Sequence, residues 1–173
     1  MGRGNSSKTT LKVKGDLSYD GDLNVAIIEV GRNLEIDANL QSEKIIVNKK
    51  CRITGKAKAI QLVVGGDCSI EGDLECNEAI IQGKCSVGGN AKCCTKITAD
   101  SIVVEGNIRC TYMVVNKECK AKNISCVFVQ VRGNLSAETI DTKGGYIYCG
   151  GSITGEIIGG GKIFEHFTDW ETI

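Results

Sequence analysis

Apolar and thiol residues recur along this chain at a fixed step of 17 residues, and a step that constant leaves few folds open. One column reads Leu17, Leu34, Cys51, Cys68, Cys85, Ile102 and Cys119. Two residues further on stand Tyr19, Ile36, Ile53, Ile70, Val87, Val104 and Ala121, and six residues on from the first column stand Leu23, Leu40, Ala57, Leu74, Ala91 and Ile108. Self-similarity at one period indicates a solenoid, in which each repeat is a turn and neighbouring turns bury each other's apolar edges.

Inside a turn the apolar positions alternate as strands do. In LVVGGDCSIEGDLEC (62–76), Leu62 and Val64, then Cys68 and Ile70, then Leu74 and Cys76 each flank one residue, the period of two that a strand imposes. Steps of six, six and five residues between these pairs close the 17-residue period. Three short strands per turn describe a triangular parallel β-helix. Gly21, Ala38, Gly55, Gly72, Gly89 and Gly106 mark one corner, followed by Asp22, Asn39, Lys56, Asp73, Asn90 and Asn107. Glycine there is expected to supply positive φ, and Asn or Asp to bond to nearby backbone. The chain has no proline, as ladders needing an amide donor at every position require. A β-sandwich with repeated turns has no reason to keep a fixed period.

The register slips after Ala121, where Ile124 arrives one residue early, and Leu135, Ala137 and Ile140 are compressed likewise. A looser segment, Lys143 to Gly145, precedes Tyr146–Cys149, and Ile153 to Ile157 reads as a last regular turn. Nine turns or so, spaced by about 4.8 Å, predict a rod on the order of 40 Å long. The organisation expected is a flexible segment over 1–10, a rod over 11–161 and an aromatic tail over 162–173.

Acidic and basic residues balance at 21 each, which gives no electrostatic case for nucleic acid as a partner. No apolar run has transmembrane length and no signal-peptide core is visible, so a cytoplasmic location and reduced thiols are expected. Of the 10 cysteines, Cys51, Cys68, Cys85 and Cys119 share one inward column, and Cys76, Cys93, Cys110 and Cys126 another. In-line thiols, one per turn, do not converge as a zinc site needs, and they read as small hydrophobes in a narrow core. Neighbouring turns are close enough for disulfides, but a reducing compartment disfavours them. Cys94 and Cys149 fall outside both columns and are expected to be the reactive thiols. No metal or cofactor is expected.

Outward positions of the second and third strands are polar, as in Glu35, Arg52, Ser69, Ser86 and Lys120. The first strand differs. Its outward column runs Lys12, Glu29, Ile46, Val63, Ile80, Ile97 and Val114, an aliphatic stripe expected to be an interface or to be covered by the chain's own tail. Phe164, Phe167 and Trp170 in that tail are expected to cap the last turn or to contact the next copy. His166, the sole histidine, sits between aromatics with no nucleophile paired to it.

The iterated hydrophobic triplet followed by Gly-Asp or Gly-Asn, as in IEGDLEC, VGGNAKC and VEGNIRC, resembles the bactofilins over roughly Leu11 to Gly161. The resemblance implies a right-handed, three-sided β-helix whose rods join end to end into nucleotide-free cytoskeletal filaments. It also implies that Phe164 or Phe167 holds the place of an aromatic residue near the rod's C-terminal end that contributes to polymerisation. The cysteine-rich interior differs from the aliphatic interior of that family.

Other solenoid functions fit less well. β-Helix acyltransferases stack three hexapeptides per turn and place a catalytic histidine on an inserted loop. Polysaccharide lyases have larger turns with a charged cluster on one face, whereas Glu71 and Asp73 flank a corner glycine. Ice binding needs an outward threonine ladder. A filled rod has no pocket for convergent groups, so the expected function is non-enzymatic. Two readings follow: a filament-forming scaffold whose partner is itself, and a monomeric or dimeric adaptor module binding another protein through the stripe. The start Met1-Gly2-Arg3-Gly4-Asn5-Ser6 matches an N-myristoylation motif, a weak indication of membrane association.

Overall fold

The computed structural model describes residues 9–170; the acylation motif and most of the expected flexible segment lie outside them. The chain forms one parallel β-solenoid of about nine turns, repeating about every 17 residues. Each turn has three sides. For one representative turn these are the ladder positions Gln61–Val64, Cys68–Ile70 and Leu74–Cys76. Many strands run unbroken through a corner, such as Leu40–Val47, and Leu74–Val87 and Ala91–Val104 run through two. The alternation breaks at those corners, where Glu43 and Lys44 both face out.

Every inward position meets its equivalent one turn away, because parallel pairing at constant register places like on like. Cys51 pairs with Cys68, Cys68 with Cys85, and Ile102 with Cys119. Ile36, Ile53, Ile70 and Val87 form the adjoining buried column. The resulting core is a set of stacked columns packed against one another, one cluster continuous from Ile28 to Cys149.

The ladder begins at Thr10 and continues through Lys162–Phe164, which pairs with Tyr146–Tyr148, so the rod extends slightly past both expected boundaries. The predicted slips are present. Asn123 pairs with Thr139 and Cys119 with Leu135, at steps of 16, and Phe128 pairs with Tyr146 at a step of 18, across the Lys143–Gly145 segment.

The corner glycines have a different cause from the one expected. Gly21 has positive φ, at 114°, but Gly55, Gly72, Gly89 and Gly106 do not. What excludes a side chain there is the turn below: a Cβ on Gly72 would lie 2.7 Å from the Gly55 carbonyl oxygen. The residues after these glycines form a hydrogen-bonded ladder on the outside of the corner. Asn39 donates its backbone N–H and its side-chain amide to Asp22 Oδ1, both at 3.0 Å. Lys56 donates its backbone N–H to Asn39 Oδ1 and its ammonium pairs with Asp73. From Asp73 the ladder passes through Asn90, Asn107 and Asn123 to Thr139, each donating to the side-chain oxygen one turn earlier.

Candidate assembly surfaces

Stacked first-side residues place Ile46, Val63, Ile80 and Val114 in one outward column, each half-buried. Ile97 does not belong to it. The strand Ala91–Val104 carries an irregularity between Cys93 and Lys96, after which Ile97 pairs with Ala79 and Thr98 with Ile80. The extra residue turns Ile97 inward, where it is 1% exposed, and puts Thr98 in the stripe between Ile80 and Val114. Thr98 Oγ1 is buried with no hydrogen-bond partner.

The stripe is one side chain wide. It starts after the ion pair of Lys12 with Glu29 and is flanked by the parallel column Lys44, Gln61, Glu78 and Lys96. Gln61 donates to Glu78 across one turn at 3.0 Å. Long polar side chains of this kind cover apolar neighbours with their stems. Towards the C-terminal end both columns turn aromatic. Tyr112, Phe128 and Tyr146 succeed Lys96, while Tyr148 and Phe164 succeed Gln130. Sequence reading missed this ladder because its members are spaced by 16 and 18 residues; their shared outward phase on consecutive first strands was the available signal.

The tail docks on this aromatic end. The Tyr148 and Phe164 rings stack at 4.8 Å between centroids, Phe167 meets Tyr148 edge-on at 4.9 Å, and Trp170 meets Phe167 at 5.1 Å. The Arg132 guanidinium lies 5.6 Å from the Trp170 ring centre, a cation–π contact. Phe167 N–H donates to the Cys149 carbonyl, continuing the ladder. Phe164, Phe167 and Trp170 therefore pack along the outer face beside the last turn, not over the Ile46–Val114 stripe. Sequence reading also missed Glu165, whose Oε1 accepts the Ile153 backbone N–H at 2.9 Å, an amide that elsewhere in this column bonds to the following turn.

Among the described residues, both rod ends leave core columns incompletely covered. Leu11, Leu17 and Leu23 in the first turn are half-buried, whereas Ile28, Leu34 and Leu40 above them are at most 1% exposed. At the other end Ile153 and Ile157 are half-buried and Ile163 is 43% exposed, although Leu135, Ile140 and Ile147 beneath are fully covered. Apolar columns are thus cut off at each end in matching positions.

The thiols divide by surroundings. Cys51, Cys68, Cys85 and Cys119 are buried, as are Cys76, Cys93, Cys110 and Cys126. Hydrogen bonding between neighbouring thiols, together with burial, pushes the Cys68 and Cys85 thiols up, and burial raises Cys119, so these groups stay protonated. Cys94 is exposed, as expected of a residue outside the columns. Cys149 is not: it pairs with Val131 in an inward column, is 0% exposed, and donates to the Gly133 carbonyl at 3.2 Å. The longer turn ahead of it moved it into phase. Burial raises its thiol too, which argues against the reactivity expected for it. Among the described residues no grouping of His, Cys, Asp or Glu is arranged to hold a metal ion. On the second side Arg52 bridges Glu35 and Glu71 at 3.1 and 3.2 Å, an exposed pairing that raises the guanidinium's own value further.

Comparison with protein-family models, with curated proteins and with solved structures finds no match to this chain.

Proposed function

We propose that this chain is a non-enzymatic structural protein whose rods join end to end into filaments, a cytoplasmic bactofilin-like scaffold whose partner is another copy of itself. The observation that carries the reading is the pair of unfinished ends. Leu17, Leu23 and Leu11 occupy the same columns as Ile153, Ile157 and Ile163, so a second rod's first turn continues the first rod's last turn side chain for side chain. A head-to-tail contact of this kind is heterologous and generates an open filament. Phe164 and Phe167 border that junction, and Glu165 must release the Ile153 amide for the next strand to pair there.

The stripe of Ile46, Val63, Ile80 and Val114 favours a second reading, a monomeric or dimeric adaptor module that binds through one face. Negative-stain microscopy separates the two. End-to-end assembly predicts filaments from the wild type, short rods from Leu17→Asp and from Phe164→Asp with Phe167→Asp, and unchanged filaments from Val63→Asp. Rods that stay separate at every salt and protein concentration would overturn the first reading. A dimer that Val63→Asp dissolves would establish the second.

A further inference from the structure

The third-side inward column passes through Cys76, Cys93, Cys110 and Cys126, and its sulfurs meet in pairs. Cys76 Sγ lies 2.9 Å from Cys93 Sγ, and Cys110 Sγ lies 2.8 Å from Cys126 Sγ. Cys76 and Cys93 occupy paired positions on adjacent parallel strands, as do Cys110 and Cys126. Strands about 4.8 Å apart fall within the Cα separations that disulfides span. Each pair also has an outer and an inner member. Cys76 and Cys110 are 5% and 8% exposed, while Cys93 and Cys126 are 1% and 0% exposed. The outer members open onto clefts beside Cys94: one is lined by Cys76 with Lys58, Lys92 and Glu75, the other by Cys110 and Cys93 with Lys92, Arg109 and Lys143.

We propose that Cys76–Cys93 and Cys110–Cys126 are two turn-to-turn dithiol/disulfide couples, oxidised by a low-molecular-weight disulfide that enters through these cation-rimmed clefts. In each couple the outer thiol, as thiolate, attacks one sulfur of the small disulfide. A mixed disulfide forms, the small S–S bond breaks, and one small thiolate leaves and takes up the proton the attacker lost. The inner thiol, after losing its own proton, attacks the outer cysteine's sulfur. The protein S–S bond forms and the second small thiol departs with that proton. Two protein thiols are oxidised and one small disulfide is reduced to two thiols. The inner partner lies against the sulfur it must attack, so the second step needs little rearrangement. The first step is slow at Cys110, because hydrogen bonding to Cys126 and burial keep its thiol protonated at neutral pH, and the same two causes hold the proton on the inner Cys93 until the second step. Closure ties successive turns covalently, across loops of 17 and 16 residues.

The test is to incubate the folded full chain with oxidised glutathione, block remaining thiols by alkylation, and map the peptides without reduction. Expected are Cys76–Cys93 and Cys110–Cys126 linked peptides, with Cys51, Cys68 and Cys85 alkylated only after unfolding. Thermal unfolding of the oxidised form should move up by roughly 10 °C per couple and return on reduction. Cys126→Ser should remove one linked peptide and leave the other. Should that variant fail to fold, the wild-type map alone decides. Glutathione found on Cys94 with the four column thiols still free, or linkages between other cysteines, would overturn the proposal.

Discussion

At the scale of single residues, crowding between turns sets the rules more often than backbone conformation does. Gly72 sits in the corner column described above and Gly15 in the first turn's corner between Thr10–Val13 and Leu17–Tyr19, yet a Cβ on Gly72 meets the Gly55 carbonyl oxygen and one on Gly15 meets nothing within 4 Å among the described residues. Gly72→Ala should therefore cost about 1–3 kcal/mol and Gly15→Ala very little, as urea unfolding would show. Asp73 offers a second residue-scale prediction. The Asn90 backbone N–H, then the Lys56 ammonium, hold its carboxyl below the usual carboxylate value. A group depressed in the folded state adds stability above its unfolded value and loses it as pH falls through the folded one. The acid limb of stability below about pH 4 should therefore become shallower in Asp73→Asn, measured by urea midpoints across pH, with neutral stability slightly lower because the Lys56 ion pair is lost. The asparagine fills the same role that Asn90 fills one turn later.

At the scale of the turn, most of the architecture was legible, and the reasons are physical. Constant register carries the 17-residue step directly into space, so Leu34, Cys51, Cys68 and Cys85 could be placed in one inward column from spacing alone. Counting fails wherever a turn gains or loses a residue. Ile97 was misplaced by one irregular residue after Cys93; the local alternation of Lys96, Ile97, Thr98 and Ala99 carried the correct phase. Cys149 was misplaced in the same way by the longer turn before it. The tail's contacts with Tyr148 and Arg132 were not legible, since no repeat governs them. Because whole turns are interchangeable units of the stack, deleting 57–73 should give a folded rod one turn shorter, with native-like circular dichroism. Removing Lys58 alone reverses the facing of the side chains beyond it on that strand and should cause a far larger fall in melting temperature.

At the scale of the whole molecule, the candidate sites lie where the repeat stops or changes: the two cut ends, the stripe of Ile46, Val63, Ile80 and Val114, and the aromatic margin at Tyr148 and Phe164. The spacing fixed which columns reach the ends, but not how far the ends are covered, which depends on the last side chains and on Glu165. Contact between such ends buries aliphatic groups, and the chain carries no net charge at pH 7. The assembly proposed above should accordingly persist from low to high salt, which sedimentation at several ionic strengths would check.

The outer corner ladder has an electrical consequence. Strand dipoles in a sheet largely cancel, but the side-chain amides of Asn90, Asn107 and Asn123 all point one way, nitrogen towards the N-terminal turn and oxygen towards the C-terminal one. Their partial charges add along the axis, and the carboxylate of Asp73 sits at the positive end of the row, as acidic groups do at the start of a helix. The corner row is thereby polarised along the rod axis, its positive end met by the Asp73 carboxylate and its negative end by the Thr139 hydroxyl.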